Sequence, residues 1–261
     1  MNVRVIPSLL LYRGGLVKTK RYKKPVYIGD PINAVKIFND KRADELMFLD
    51  IEATKSGAEP NFELLADIAG EAFMPFAYGG GITNIAQVKK LFRIGIEKVV
   101  IGTAAGVSGN LIPEVASLAG CSSVVASVDV RRGFFGRDSV YVRNGSKDLM
   151  IDPVEYSMLL EHQGAGEILL NSIDHDGMQQ GFNLNLISSV SASTSIPVIA
   201  SCGAGKLQDF KDAVDAGASA VAAGSIFVFH GNHNAVLFTY PEYSVISNIF
   251  KSDSNESINP V

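Results

Sequence analysis

Two glycine-rich stretches, Gly79-Gly80-Gly81 and Ser201-Cys202-Gly203-Ala204-Gly205, carry the first recognisable chemistry of this chain. Glycines at the end of a strand let backbone N–H groups approach an anion closely, and a following helix adds the positive end of its dipole. Further along, each stretch is matched by a small residue and a hydroxyl, Gly102-Thr103 and Gly224-Ser225. One glycine-rich turn is more often an ordinary tight connection. Two matched copies point instead to two phosphate sites, Gly80, Gly81, Gly102 and Thr103 in one and Gly203, Ala204, Gly224 and Ser225 in the other. They would suit a long ligand with a phosphate at each end.

The copies belong to an internal repeat. A shift of 122 residues lays Met74 to Ala105 on Ile196 to Phe227 without a gap, and Glu45-Leu46-Met47-Phe48 on Glu167-Ile168-Leu169-Leu170. A slightly different shift pairs Val5 to Leu10 with Val124 to Asp129, so one run ends on an aliphatic side chain and the other on a carboxylate. A carboxylate can move a proton and leucine cannot.

Eight short apolar or β-branched runs must position these residues: Val3 to Leu11, Glu45 to Ile51, Phe76 to Tyr78, Lys98 to Ile101, Ser123 to Val130, Glu167 to Asn171, Pro197 to Ala200 and Ala220 to Ala223. Between them lie stretches of helical period. Asn84 to Ile94 sets Ile85, Val88, Leu91 and Phe92 on one face, and Leu207 to Ala216 does the same with Leu207, Phe210 and Val214. Eight βα units predict an α/β fold, a (β/α)8 TIM barrel with a two-fold half-barrel repeat, whose chemistry sits where strands end. The long connection Arg131 to Pro153 reads as a hairpin in which Val140-Tyr141-Val142 and Leu149-Met150-Ile151 flank a turn at Asn144-Gly145, and Gly14-Gly15 with Lys18 to Lys24 reads as a loop over the same face. Both are candidate lids.

With 261 residues, 47% apolar and 19% charged, the chain is expected to be one domain over 1–251, followed by a polar tail over 252–261. A net charge of −4 gives no pull toward nucleic acid or anionic membrane. No apolar run approaches the roughly 18 to 20 residues of a membrane span, and no signal peptide is evident, so a cytoplasmic protein is expected. Cys121 and Cys202 are expected to be reduced packing residues. His230 and His233 lie three apart with too few companions for a metal site, and neither a metal nor a cofactor is expected.

Asp129, the run Gly166 to Gly177 (Gly-Glu-Ile-Leu-Leu-Asn-Ser-Ile-Asp-His-Asp-Gly), the Gly79 to Gly81 triplet and Ser201 to Lys206 together resemble HisF, the synthase (cyclase) subunit of imidazole glycerol phosphate synthase, over roughly residues 3 to 230. The resemblance implies a barrel that pairs with the glutaminase HisH, whose ammonia crosses the barrel and attacks a bisphosphorylated ribulosyl substrate. It implies a general acid–base pair of aspartates at the ends of strands one and five; here Asp129 holds the second place and Leu10 the first. Asp50 is a possible polar partner for Asp129. A ring of charges gating ammonia entry corresponds to Arg4, Glu45, Lys98 and Glu167, and Glu97 holds the place of an acidic residue that helps to switch on the glutaminase. Asp174 and Asp176 fall near the substrate, with Asp176 and Gly177 at a phosphate or its glycerol chain. Lys18 matches a basic residue of a mobile loop, although a solvated lysine is the default. The related isomerase HisA shares the repeat, but the charge quartet fits HisF better.

The opening Arg4 to Leu11, Gly29 to Ala34 and Phe229 to His233 also resemble HisF-like paralogues of bacterial surface-polysaccharide gene sets. There, ammonia is thought to go to a separate enzyme that amidates a sugar. The expectation is a synthase subunit served by a HisH-like glutaminase, holding a phosphorylated ligand and specialised for sugar amidation together with a sugar amidotransferase. The alternatives are a working cyclase-lyase of histidine biosynthesis, or a non-catalytic barrel that activates the glutaminase.

Overall fold

The protein is described by a computed structural model covering residues 3–133, 136–231 and 233–251. The proposed tail, 252–261, lies outside the described residues. Eight parallel strands form the barrel: β1 (Arg4–Tyr12), β2 (Leu46–Asp50), β3 (Phe76–Gly79), β4 (Lys98–Ile101), β5 (Val124–Arg132), β6 (Glu167–Ser172), β7 (Val198–Ser201) and β8 (Ala220–Ala223). Each pairs with the next, and β1 pairs with β8 from Arg4↔Ala220 to Pro7↔Ala223, which closes the sheet. Among the described residues, eight helices of eight or more residues alternate with the strands: α1 (Pro31–Asp40), α2 (Phe62–Glu71), α3 (Ile85–Ile94), α4 (Leu111–Ala119), α5 (Pro153–His162), α6 (Leu184–Ser191), α7 (Gln208–Asp215) and α8 (Tyr243–Lys251). Among the described residues no helix is long and apolar enough to cross a membrane.

Strand side chains alternate between two cores, as the period of two requires. Ile6, Met47, Ala77, Val100, Val125, Leu169, Ile199, Ala220 and Ala222 fill the barrel interior. Their neighbours, such as Val5, Phe48, Tyr78, Val99, Val124 and Ile168, face the helices in a larger core. The helices start and stop where local chemistry dictates. Asp30 caps α1 through Asn33 N–H with Pro31 in the first turn, and Asn84 caps α3 through Gln87 N–H. Gly95 ends α3 with a φ of 109°, and its repeat mate Gly217 follows α7 with a φ of 107°.

The repeat is visible in the backbone. β3 and β7, and β4 and β8, are the same elements displaced by the sequence shift of 122. Ile6 and Val125 share the interior layer, so Leu10 and Asp129, four residues beyond each, occupy corresponding places at the strand ends.

Two expectations need correction. The segment after β1 is a hairpin rather than a loop: Gly15–Lys20 pairs antiparallel with β1 and with Lys23–Gly29. Leu16, Val17 and Ile28 are buried, which anchors it despite the intervening lysines. In the β5 excursion, Asp138–Val142 pairs back on β5, and the turn at Asn144-Gly145 holds, with φ of 55° and 71°. The returning strand, however, is Lys147–Asp148 and not Leu149 to Ile151. Met150 adopts a φ of 56° and donates its N–H to Asp148 Oδ1, which breaks the extended run.

The C-terminal segment is fastened across β1. Tyr240 donates its hydroxyl to the Val5 carbonyl at 2.8 Å and packs on Phe227 and Phe38. Tyr240→Phe keeps the ring contacts and removes the donor, so it should cost about 1 kcal/mol, roughly a 2–4 °C lower Tm for a domain of this size, measurable by calorimetry.

Candidate active site at the barrel mouth

The strand ends surround a cavity lined by Leu10 of β1, Asp50 of β2, Gly79 of β3, Ser127 and Asp129 of β5, Asn171 of β6, Ser201 of β7 and Ala223 of β8. Inward-facing side chains at strand ends must face this space once the interior layer beneath is filled. Lys18, Thr19 and Tyr22 of the first hairpin roof it, and Asn144 of the second reaches its edge.

Asp129 is the centre of the polar wall. Its Oδ1 accepts hydrogen bonds from Asn171 Nδ2 at 2.9 Å, Ser127 Oγ at 3.1 Å and the Tyr22 hydroxyl at 3.2 Å. Burial pushes its carboxyl pKa above the ordinary value, the three donors pull it back, and the nearby Asp176 carboxylate adds to the rise. Leu10 also lines the cavity, so no second carboxylate stands at its place. Asp50 is not the partner of Asp129. Its Oδ1 accepts the N–H groups of Glu52 and Ala53 and caps the one-turn helix Ala53–Ser56.

Lys18 is buried, not solvated: its Nζ donates to the Ser8 carbonyl at 2.8 Å. Desolvation lowers its pKa to about 8, opposed by the Asp176 charge. Asp176 Oδ2 accepts the Thr19 hydroxyl at 2.6 Å and Tyr22 N–H at 3.0 Å, so this carboxylate holds the hairpin down. Gly177 lies against it so closely that a Cβ would sit 2.0 Å from the Thr19 carbonyl oxygen. Asp174 accepts the Arg132 N–H at 2.9 Å.

Of the expected phosphate residues, Gly80, Gly102, Thr103, Asp176, Gly177, Gly203, Ala204, Gly224 and Ser225 all line the cavity. Gly81 is behind the wall, where a Cβ would meet the Ala58 carbonyl at 2.6 Å and Ala53 at 2.9 Å. The two halves are not equal. Thr103 Oγ1 accepts the Arg143 N–H at 2.9 Å. In the other half Asp209 Oδ2 takes the N–H groups of Gly205 and Lys206, leaving Gly203, Ala204, Gly224 and Ser225 at the cavity wall. Cys202 also faces the cavity, with a φ of 72°, and Cys121 is exposed, so neither is a packing residue of the core.

At the opposite end, Arg4, Glu45, Lys98 and Glu167 close a ring of alternating charge. Arg4 bridges Glu45 at 2.7 Å and Glu167 at 2.8 Å, and Lys98 bridges Glu167 at 3.2 Å and Glu45 at 3.4 Å. The apolar interior layer separates it from the mouth. Glu97 is exposed beside it.

Tyr22, Ser127, Asn171 and Thr19 were not among the expected site residues. The signal for Ser127 was its place two residues before Asp129 on the same strand face. For Thr19 and Tyr22 it was the pair of short β-runs around Arg21-Tyr22, obscured by lysines and by a turn without Asn-Gly.

The raised Asp129 pKa has a consequence for stability. A carboxyl that is harder to ionise in the folded state weakens folding as pH rises from the ordinary value of about 3.9 toward its higher folded pKa, and that loss vanishes below the ordinary value. Asp129→Asn keeps an acceptor for the three donors, so its Tm should exceed that of the wild type by a few degrees at neutral pH, the margin closing as pH falls toward about 4. Thermal unfolding across that range checks it; a margin independent of pH would refute it.

The chain matches the family described as Histidine biosynthesis protein over residues 4–234. It is 51% identical over 240 residues, 92% of this chain and 96% of the other, to a Pseudomonas aeruginosa protein provisionally named imidazole glycerol phosphate synthase subunit hisF2. It is 41% identical over 249 residues to a Vibrio vulnificus protein provisionally named subunit hisF3, with 94% and 95% of the two chains covered. With imidazole glycerol phosphate synthase subunit HisF of Streptomyces avermitilis it shares 42% identity over 229 residues, 88% of this chain and 91% of that one. A closed eight-stranded barrel matched along nearly its whole length at this identity places the chain in the HisF family of imidazole glycerol phosphate synthase subunits.

Proposed function

We propose that this chain is the synthase-type subunit of a glutamine amidotransferase, taking ammonia from a HisH-like glutaminase and passing it toward a sugar acceptor in surface-polysaccharide biosynthesis. The observation that carries this reading is Leu10. It stands at the strand-one place that corresponds to Asp129, so only one of the two matched strand ends carries a carboxylate where ring closure by an acid–base pair needs a proton-moving group at both. The charged ring supports the ammonia route. Four paired charges followed by an apolar layer oppose the passage of ions but not of a small neutral molecule. Glu97, exposed next to Lys98, is the proposed contact for the glutaminase on that face. The glycine clusters and Gly102-Thr103 and Gly224-Ser225 are the proposed phosphate contacts at the mouth.

A second reading, a working cyclase-lyase forming imidazole glycerol phosphate and AICAR, is favoured by the three donors gathered on Asp129 and by Lys18 in the cavity roof. The two readings separate on ammonium-dependent turnover of the bisphosphorylated ribulosyl substrate by the purified chain, without a glutaminase and beside an authentic HisF. The ammonia-delivery reading expects turnover more than tenfold below HisF, a barrier difference above about 1.4 kcal/mol. Turnover within tenfold would overturn it in favour of the second.

Leu10→Asp should raise that turnover at least tenfold, again about 1.4 kcal/mol, if the missing carboxylate is what separates this mouth from a cyclase. Unchanged turnover would transfer the cause to the hairpins. Lys98→Ala leaves Glu45 and Glu167 with Arg4 as their remaining ring cation. It should increase the glutamine hydrolysed per ammonia transferred in the complex with the glutaminase, and an unaltered ratio would count against the ring as the point of entry.

A further inference from the structure

The two-residue turn of the first hairpin is made of residues that do not favour it. Lys20 pairs with Lys23, and between them Arg21 and Tyr22 both adopt positive φ, 52° and 60°. A turn with two left-handed residues favours Asn-Gly, because side chains with a bulky Cβ substituent resist that region. Backbone outliers of this kind persist where the surroundings over-determine them. Here the surroundings are polar contacts made by Tyr22 and its neighbours. Tyr22 N–H and the Thr19 hydroxyl reach Asp176 Oδ2, Arg21 N–H reaches the Asp176 carbonyl at 2.9 Å, and the Tyr22 hydroxyl reaches Asp129 Oδ1. The ring also meets the second hairpin, since a Cβ at Gly145 would lie 3.3 Å from Tyr22 Cδ2.

We propose that Tyr22 is a positioning residue for Asp129: with the first hairpin closed over the mouth, its hydroxyl is the third donor to Oδ1 and favours the ionised carboxylate. This rests on Asp129 being the proton-moving group of the mouth. The hydroxyl reaches Oδ1 only while the turn is held over the cavity, so the charge on Asp129 is tied to hairpin closure. The groups that face the pair are Lys18 on the hairpin, Asp176 after β6, Cys202 after β7 and Tyr156 on α5. Of these, Lys18 is the cation, and its Nζ is bonded to Ser8 and not to Asp129. The Asp176 charge opposes ionisation of Asp129, so the hydroxyls and the Asn171 amide are what favour it.

The test is the titration of Asp129 in the full chain, read from its ¹³C-labelled carboxyl signal assigned by Asp129→Asn. Tyr22→Phe retains the ring and removes only the donor, and should move the midpoint up by about one pH unit, a tenfold change in proton affinity. Gly177→Ala leaves the Tyr22 side chain unsubstituted but forces the hairpin away at Thr19, and should move the midpoint in the same direction. Arg21→Asn with Tyr22→Gly should raise thermal stability, because the turn is then relaxed, while reproducing the upward shift. A folded Tyr22→Phe protein with an unmoved midpoint overturns the proposal, and an unmoved midpoint in Gly177→Ala overturns the link to closure. Ammonium-dependent turnover measured alongside separates the two claims. A midpoint that moves in a chain without turnover keeps the pairing and discards ring closure, whereas turnover that persists with an unmoved midpoint does the reverse.

Discussion

Pairing of Arg4 to Pro7 with Ala220 to Ala223 closes the sheet, and the rest of the molecule depends on that closure. A closed parallel barrel has no free edge, and its strands are buried on both faces, so polar chemistry is confined to the two ends. At one end the first residues of the strands meet as a ring of two cations and two carboxylates. At the other the last residues meet as the cavity around Asp129. The packed layer from Ile6 to Ala222 lies between them and keeps the two sets of charges apart.

Closure also explains why two hairpins, and not two ordinary loops, cover the mouth. β1 and β5 are the longest strands, and each runs past the barrel rim to pair with an antiparallel strand, Gly15–Lys20 in one case and Asp138–Val142 in the other. The two excursions are repeat mates at β1 and β5, and they approach each other so closely that a Cβ at Gly145 would lie 3.3 Å from the Tyr22 ring. A carboxylate, Asp176, fastens the first of them at Thr19, Arg21 and Tyr22. Burying Lys18 and Asp129 beneath this roof moves both pKa values toward the neutral form, a cost in stability that the enclosure itself imposes.

The half-barrel repeat supplies a symmetric frame, and function resides in the departures from symmetry. Leu10 against Asp129 is one. Gln87 against Asp209 is another: Gln87 Oε1 accepts the Thr83 N–H and Asp209 Oδ2 those of Gly205 and Lys206, but the first is neutral and the second adds a carboxylate behind the Gly203 cluster. Gly80 against Cys202 is a third, with a thiol side chain placed at a positive φ on the cavity wall.

Much of this was legible in the sequence. Strand and helix periods, glycine punctuation and the repeat are local patterns, and they located all eight strands to within a few residues, the (β/α)8 class and the glycine clusters. The charge quartet was legible through the resemblance to HisF, and the place of each member at the start of an apolar run put the four at one end of the barrel. What the sequence could not determine was which side chains meet across the mouth. Lys18 looked like a solvated lysine in a basic stretch, yet antiparallel pairing on β1 turns it inward to Ser8. Asp50 looked like a partner for Asp129 and does line the same cavity, yet its Oδ1 is taken by the N–H groups of Glu52 and Ala53. Tyr22 reaches Asp129 across 107 residues of sequence through a turn with the wrong residues for its type. Periodicity and punctuation are properties of neighbours along the chain and so can be read from it. The contacts of Lys18, Asp176, Tyr22 and Asp129 exist only because barrel closure brings the ends of separate strands to one place.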